Sequence, residues 1–198
     1  MHSIPAILII GPTGTGKTPL GQYLEANPPS GRKIRHFDFG ENLRNAHEQG
    51  KGFCPELFPD ERAYIRKVLK EGALLTDEHF GIAEKLLCGF IRGNTGPEET
   101  LLLLNGLPRH PGQARDIAGI VDVTGIISLE CDAETVCERI RCNTGGDRTG
   151  RRDDSLDLIR SKLDVFRKQT LPLLAYYRET NVDIHTMPVG PQTRPVDI

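Results

Sequence analysis

Runs of apolar residues alternate with helical patterns along most of the chain. The runs predict strands at 6–10, 33–37, 100–104, 125–129 and 183–187. Between them, apolar residues recur at the spacing of about three to four residues that is typical of helices packed on a sheet. Apolar strands that are separated by helices form parallel sheets covered on both faces. The pattern therefore predicts the α/β class, with a parallel five-stranded sheet flanked by helices.

The predicted helices include a central group without an intervening strand. This group lies at 41–48, 60–69 and 77–91. The remaining helices begin near 17, 113, 133 and 153; the last of them follows the aperiodic segment 143–152 and continues to about 177. Residues 188–198 lack a periodic pattern and are predicted to form a loose end.

The composition indicates one globular unit that binds small molecules. The chain has 198 residues, of which 37% are hydrophobic, and this is enough for a core without disulfides or structural metal. Its 25 basic and 27 acidic residues are mixed along the sequence and give a net charge of −2. No basic tail or stripe favours nucleic acid or a membrane surface, so we expect small-molecule partners and a monomer.

Cysteine usage and the N-terminal sequence favour a cytoplasmic location. The five cysteines include no CxxC pair, so neither a zinc ribbon nor a disulfide framework is expected. No apolar stretch is long enough to span a membrane, and the N-terminus resembles neither a basic leader nor a cleavage site. We therefore expect a cytoplasmic protein whose cysteines are reduced and packed.

A glycine-rich segment lies between the first predicted strand and the first predicted helix. Residues 11–18 (GPTGTGKT) fit the P-loop pattern GxxxxGK[ST]. Glycines allow successive backbone N–H groups to face one anion, and the start of the helix adds positive potential. Lys17 can reach the β- and γ-phosphates of ATP, and Thr18 offers a hydroxyl to Mg²⁺. A glycine-rich turn without a ligand is the alternative. The predicted ATP-binding residues are Thr13, Gly14, Thr15, Gly16, Lys17 and Thr18.

Further segments resemble those of adenylate kinases and occur in the same order. Residues 104–109 (LNGLPR), followed by Gln113, resemble the DGFPR…Q segment of that family at the end of an apolar strand. Residues 39–44 (FGENLR) resemble TGDLLR, residues 72–78 (GALLTDE) resemble GxLVTDE, and residues 150–154 (GRRDD) resemble the lid segment GRxDD. The likeness covers roughly residues 6–185. The chain is thus similar to the adenylate kinase family of P-loop nucleoside monophosphate kinases.

The resemblance implies a P-loop kinase domain with two mobile inserts. The core would comprise 1–38, 76–141 and 153–188, with a monophosphate-binding insert at 39–75, a short lid at 142–152 and a tail at 189–198. Closure of the inserts would exclude water, which otherwise competes with the acceptor phosphate. The lid is too short and too poor in cysteine for the zinc-bearing version of some relatives.

The resemblance also implies roles for individual residues. Arg44 and Arg109 would hold the acceptor phosphate, while Gln113 and the backbone from Ala73 to Leu75 would bind the acceptor base. Arg139 would lie over the adenine of ATP. The implied catalytic residues are Lys17, Arg109, Arg151 and Lys162, and the implied monophosphate-binding residues are Phe39, Arg44, Ala73, Leu74, Leu75, Gly106, Arg109 and Gln113.

Several positions depart from the family pattern. Asn105 replaces an aspartate that helps to hold the water shell of Mg²⁺, so weaker magnesium binding is expected. Lys162 replaces a phosphate-clamping arginine and lacks its bidentate fork, so slower catalysis is expected. Phe39 replaces a threonine near the acceptor base and could either stack on that base or pack its own helix. Thr18 directly follows the lysine, as in other P-loop NTPases, whereas the family usually has glycine there.

Some charged residues also have simpler interpretations. The arginines between 139 and 160 could form a solvated basic face, as charge runs usually do. Asp153 and Asp154 could cap the N-terminus of the following helix. These alternatives stand beside the roles that the resemblance implies.

The sequence therefore predicts a magnesium-dependent kinase of nucleotide metabolism that converts ATP and AMP into two ADP. Gln113 is the argument for adenine, because an amide can present both a donor and an acceptor to a base edge, and the resemblance implies that this position recognises adenine. A kinase for another ribo- or deoxynucleoside monophosphate, such as CMP or UMP, is an alternative. A catalytically weak nucleotide-sensing relative and a simple P-loop ATPase are the others.

Overall fold

The fold is built on a central parallel sheet. The computed structural model describes residues 3–48, 57–71, 73, 75–94, 100–147 and 155–198. Its strands are β1 (Ile4–Ile10), β2 (Lys33–Asp38), β3 (Thr100–Asn105), β4 (Val121–Glu130) and β5 (Asp183–Pro188). All neighbours pair in parallel, in the order β2-β3-β1-β4-β5. The predicted fold class and the predicted five-stranded sheet are confirmed.

Helices connect the strands and cover the sheet. They are α1 (Lys17–Ala26), α2 (Phe39–Glu48), α3 (Pro59–Glu71), α4 (Phe80–Asn94), α5 (Pro111–Ile117), α6 (Ala133–Cys142), α7 (Leu156–Val165) and α8 (Pro172–Glu179). Short 3₁₀ turns at Pro29–Gly31, Asp77–His79 and Pro195–Asp197 and a π-helical turn at Phe166–Thr170 complete the described elements. None of the helices in these ranges combines the length and the apolar character that a bilayer crossing needs.

The last long helical region differs from its prediction at both ends. Helix α7 begins at Leu156, and Ser155 is its N-cap, because the serine side chain accepts the backbone N–H of Leu158. The prediction that Asp153 and Asp154 cap this helix falls on residues outside the described ranges. Beyond α7, the π-helical turn separates it from α8, so the region is not one continuous helix.

The core lies on both faces of the sheet. Every residue of β3 is buried, and its side chains alternate between the two faces. Leu102 and Leu104 join the larger apolar cluster, whereas Leu101 and Leu103 join the cluster on the opposite face. Burial on both sides explains why this strand is apolar without interruption, apart from its polar ends.

The C-terminal tail is packed on the protein, so the prediction of a loose end is wrong. Val189 is buried, and its backbone N–H donates to the carbonyl of Glu130 at 2.8 Å. Ile198 packs against the cluster that contains Leu101 and Leu103. Individual backbone and side-chain contacts with the core hold the tail in place. Such contacts do not require a periodic sequence pattern, so no sign of them appears in the sequence.

The carboxyl ends of three neighbouring strands meet at one edge of the sheet. Asp38, the last residue of β2, is the register partner of Asn105, the last residue of β3. Asn105 is in turn the partner of Ile9 in β1, directly before the glycine-rich loop. Ligands of open α/β sheets bind outside the carboxyl ends of the strands, so this edge is where a site is expected.

Candidate active site

The glycine-rich loop runs from β1 into α1 with two glycines in left-handed backbone conformations. Gly14 has φ 83° and Gly16 has φ 90°, and L side chains rarely adopt such values. A Cβ on Gly14 would also lie 2.9 Å from Cγ1 of Ile140. The Lys17 ammonium donates to the carbonyls of Gly11 and Pro12, at 2.7 Å in each case. The loop therefore keeps a positive charge at the start of α1.

One cleft joins this loop to the segment that follows β3. Lys17 and Thr18 line it together with Arg109 and Lys162. If the glycine-rich loop and the segment after β3 lay on opposite sides of the molecule, a phosphoryl group could not pass directly between ligands bound to them. The predicted site residues that line the cleft are Thr13, Gly14, Gly16, Lys17, Thr18, Phe39, Arg44, Ala73, Leu75, Gly106, Arg109, Gln113 and Lys162.

Arg109 is held in the cleft by contacts from its own segment. Its Nε donates to the carbonyl of Gly106 at 2.9 Å, and its backbone N–H donates to Oε1 of Gln113 at 2.8 Å. Burial lowers the pKa of the Arg109 guanidinium, and the nearby Asp38 carboxylate acts in the opposite direction. The ordinary pKa of arginine is so high that the group stays charged. Arg109 is thus a fixed, partly desolvated cation that suits a phosphate.

The helices α2 and α3 contribute the far wall of the cleft. Phe39 packs against Phe37, with ring centroids 6.3 Å apart, and it also lines the cleft. Its helix-packing interpretation therefore agrees with the structure, while stacking on a base stays a prediction. Leu75 is buried, and the backbone N–H of Ala73 donates to the carbonyl of Val68 at the end of α3. The predicted boundaries of the insert and lid stay predictions.

Arg139 is buried between the glycine-rich loop and the C-terminal tail. Its Nε donates to the carbonyl of Gly14 at 3.0 Å, and its Nη1 donates to the carbonyls of Gly190 at 2.7 Å and Thr193 at 2.9 Å. The residue is 3% exposed, so a solvated basic face is the wrong interpretation for it. Arg139 ties the P-loop to the C-terminal tail, and its predicted position over the adenine of ATP stays a prediction.

The remaining predicted site residues are Thr15, Leu74 and Arg151. Thr15 is fully buried and does not line the cleft, and its hydroxyl donates to the carbonyl of Pro12 at 2.9 Å. Leu74 and Arg151 lie outside the described residues. In the predicted lid, Asp147 is described and lines the cleft.

Asp38 is a site residue that the sequence analysis missed. It is 7% exposed and lines the cleft. Its Oδ2 accepts hydrogen bonds from the Thr18 hydroxyl at 2.5 Å and from Nδ2 of Asn105 at 2.8 Å. Its Oδ1 accepts the backbone N–H of Glu41 at 2.9 Å. An acidic residue that ends a largely buried strand was the available signal, because such a position leads to the ligand-binding edge of the sheet.

The oxygen ligands at this edge fit a magnesium ion that arrives with a nucleotide. The Thr18 hydroxyl and the Asp38 carboxylate are hard oxygen groups, which Mg²⁺ prefers. Within the described part of the chain, no group of three or more His, Cys, Asp and Glu side chains could hold a metal ion. Mg²⁺ at nucleotide sites commonly uses one or two protein ligands, with phosphates and water completing its shell.

The chain is similar in sequence to known adenylate kinases. The chain is similar to the adenylate kinase of Synechococcus sp. (strain WH7803), with 28% identity over 179 residues that cover 87% of this chain and 84% of the relative. It is 29% identical to the adenylate kinase of Parasynechococcus marenigrum (strain WH8102), with the same coverage. The adenylate kinase of Xylella fastidiosa (strain 9a5c) is 24% identical over 192 residues, 93% of this chain and 91% of the relative. The chain matches no protein-family model.

The similarity extends over most of the chain and of each relative. It confirms the resemblance inferred from the sequence motifs and the predicted enzyme class, a phosphotransferase. The five-stranded parallel sheet with flanking helices is consistent with the P-loop kinase fold.

Proposed function

We propose that this phosphotransferase, similar to adenylate kinases over most of its length, transfers the γ-phosphoryl group of ATP to AMP and releases two ADP. The shared cleft is the observation that carries the proposal, because Lys17 and Thr18 line it together with Arg109 and Gln113. A P-loop alone would suit an ATPase. A second set of phosphate- and base-binding groups in the same cleft supports a phosphoryl acceptor.

The reaction depends on positioning and charge neutralisation rather than on a covalent intermediate with the enzyme. An oxygen of the acceptor phosphate attacks the γ-phosphorus of ATP, and the bond between that phosphorus and the β–γ bridging oxygen breaks. The bond electrons stay with the departing ADP. Mg²⁺, when bound with ATP, neutralises charge on the β- and γ-phosphates. The chain supplies the remaining positive charge and keeps water out.

On the donor side, the P-loop would bind the ATP phosphates. Lys17 would exchange its bonds to the Gly11 and Pro12 carbonyls for phosphate oxygens, which are stronger acceptors because they are charged. Thr18 would offer its hydroxyl oxygen to the magnesium ion. The backbone N–H groups between 13 and 18 would face the β-phosphate at the start of α1.

On the acceptor side, Arg109 would hold the monophosphate. Its bonds to Gly106 and Gln113 fix the direction of its side chain and backbone before any ligand arrives, which lowers the entropic cost of binding. Arg44 would assist from α2. Lys162 and Arg151 would act on the transferring phosphoryl group, with Lys162 as a point charge rather than a bidentate clamp.

Gln113 is the basis for AMP as the acceptor. Its oxygen accepts the Arg109 backbone N–H, so its amide NH₂ can donate to an acceptor atom on the base edge. Adenine presents such an atom at N1. Other bases also present acceptors, so the base must be tested by direct comparison.

The test is a coupled ADP assay with Mg-ATP and a panel of acceptors: AMP, CMP, UMP, GMP and their deoxy forms. We expect ADP formation only in the presence of an acceptor, with the highest kcat/KM for AMP. A higher kcat/KM for CMP or UMP would refute AMP as the acceptor and retain the kinase. Nucleotide binding without turnover would identify a sensor. ADP formation without any acceptor would identify an ATPase.

A further inference from the structure

The aspartate expected at the end of β3 is absent, but a carboxylate lies beside its position. The resemblance leads one to expect an acidic residue at 105, where the chain has Asn105. Asp38 ends the neighbouring strand as the register partner of Asn105. Neighbouring strands are about 4.8 Å apart, so the two side chains can reach the same point of the cleft. Nδ2 of Asn105 in fact donates to Oδ2 of Asp38 at 2.8 Å.

We propose that Asp38 is the carboxylate that holds the magnesium ion of the bound nucleotide, and that Asn105 positions it. The resemblance leads one to expect this carboxylate at the end of β3, whereas in this chain it lies at the end of β2, beside Thr18. This proposal rests on the proposed function, since that function supplies the nucleotide with its metal.

The hydrogen bonds around Asp38 support this role. The Thr18 hydroxyl donates to Oδ2, which is the same oxygen that Asn105 approaches. The Thr18 oxygen is the predicted metal ligand, so the carboxylate lies directly beside the place of the ion. The three groups that donate to the Asp38 carboxylate, which are the Thr18 hydroxyl, the Asn105 amide and the Glu41 N–H, are all neutral. Asp38 therefore keeps a net negative charge toward the cleft.

Two arginines near Asp38 offset its negative charge while no nucleotide is bound. The carboxylate acts electrostatically on Arg109, whose pKa is lowered mainly by burial. A Cβ built on Gly40 would lie 3.4 Å from Oδ1 of Asp38 and 3.4 Å from Nη1 of Arg44, so the second arginine is also near. In the proposed reaction both arginines pair with the acceptor phosphate. Asp38 then requires another cation, and Mg²⁺ supplies it.

A neutral amide at position 105 suits a carboxylate at position 38. Two carboxylates at these two positions would lie at hydrogen-bond distance from each other, and one would be held protonated in the absence of a metal. An amide instead donates to the single carboxylate and fixes its direction. Under this proposal Asn105 does not weaken magnesium binding, because Asp38 supplies a carboxylate beside the same position.

Exchange of the two residues gives a sharp test. The full chain is compared with Asp38→Asn, with the exchange variant Asp38→Asn/Asn105→Asp, and with Asp116→Asn as a control on the exposed surface of α5. The readout is the affinity of Mn²⁺ for the enzyme–ADP complex, measured from the electron paramagnetic resonance signal of free Mn²⁺. ADP affinity in excess chelator, measured by calorimetry, reports nucleotide binding without metal.

We expect Asp38→Asn to weaken Mn²⁺ binding about 10- to 100-fold, the usual effect of losing a group that supports a metal. ADP affinity in chelator should change by less than about 3-fold, because no phosphate-binding group is removed. The exchange variant should bind Mn²⁺ more tightly than Asp38→Asn and to within about 3-fold of the wild type, since it returns a carboxylate to the same point. Asp116→Asn should match the wild type.

Two results would overturn the proposal. One is Mn²⁺ affinity in Asp38→Asn equal to that of the wild type. The other is a folded exchange variant, verified by circular dichroism, that recovers no metal affinity; this criterion remains valid if Asp38→Asn alone fails to fold. Failure of the proposed function has a different signature. In that case the wild type binds Mn²⁺ and ADP through Asp38 but transfers phosphate to none of the acceptors.

Discussion

Arg139 links the P-loop to the C-terminal tail, and its removal should destabilise the free protein. Arg139→Ala deletes three short hydrogen bonds, to the carbonyls of Gly14, Gly190 and Thr193. A bond from a charged donor contributes about 1.5–3 kcal/mol, and part of this is recovered when water reaches the exposed carbonyls. The expected loss in the free energy of unfolding is therefore about 3–5 kcal/mol.

Two further variants calibrate this value. Arg139→Lys keeps a positive charge but lacks the planar fork that reaches the loop and the tail together, so we expect an intermediate loss of about 1–3 kcal/mol. Arg160→Ala removes an arginine side chain that is 77% exposed, with one ion pair to Asp157 at 3.9 Å. Such a pair contributes little, and a change below about 0.5 kcal/mol is expected.

The assay is urea unfolding followed by circular dichroism, without nucleotide. Hydrogen exchange of the Val189 N–H, which is bonded to Glu130, reports whether the tail detaches before the rest unfolds. If Arg139→Ala had the stability and the Val189 protection of the wild type while losing ATP affinity, the bracing role would be refuted. That outcome would favour a contact with the adenine of ATP alone.

Three more substitutions test the cleft and the packing of α1, the helix that follows the glycine-rich loop. Lys17→Ala should lower kcat by about 10²- to 10³-fold or more, because it removes a charge that faces the β- and γ-phosphates; near-normal kcat in the coupled assay would contradict the P-loop assignment. Gln113→Glu keeps the oxygen that accepts a backbone N–H but loses the NH₂ donor, so the KM for AMP should rise at least about 10-fold with little change in the KM for ATP; equal losses for both would count against base recognition. Gly21→Ala should cost about 2–4 kcal/mol in urea unfolding, since its Cβ would lie 2.3 Å from the buried His36 ring. Gly81→Ala is the matched control, because no atom lies within 4 Å of its Cβ; equal stability of the two variants would show that α1 can shift away from β2.

Much of the fold could be predicted from local sequence. In these segments the apolar pattern or the backbone requirement of the local sequence matches the environment in the folded protein. β3 is buried on both faces, and its leucines are consecutive, so its strand was predicted with an end only one residue short. The P-loop was also predictable, since the requirement for glycine at 14 and 16 is a property of the backbone itself. The relation of Lys17 to the start of α1 followed from the same motif.

Other features required contacts between distant parts of the chain. The tail lacks a repeating pattern, yet it is held by Arg139, which is more than fifty residues away in sequence. The start of α7 at Leu156 depended on which of several polar residues served as the cap, and Ser155 does. Such choices are decided by hydrogen-bond geometry in the folded state, which a linear pattern does not contain.

The sequence by itself determined most of the strand and helix pattern, the position of the glycine-rich loop and many of the residues that line the cleft with it. Only the tertiary structure decided what surrounds the Asp38 carboxylate. Strand register brings it to Asn105, 67 residues away, and the packing of α1 against β2 brings it to Thr18, 20 residues away. A motif records residue types at fixed spacing along one segment. The neighbours of a charged group in a folded site depend instead on positions in space. Side chains at the ends of two adjacent strands can therefore reach the same point of the cleft.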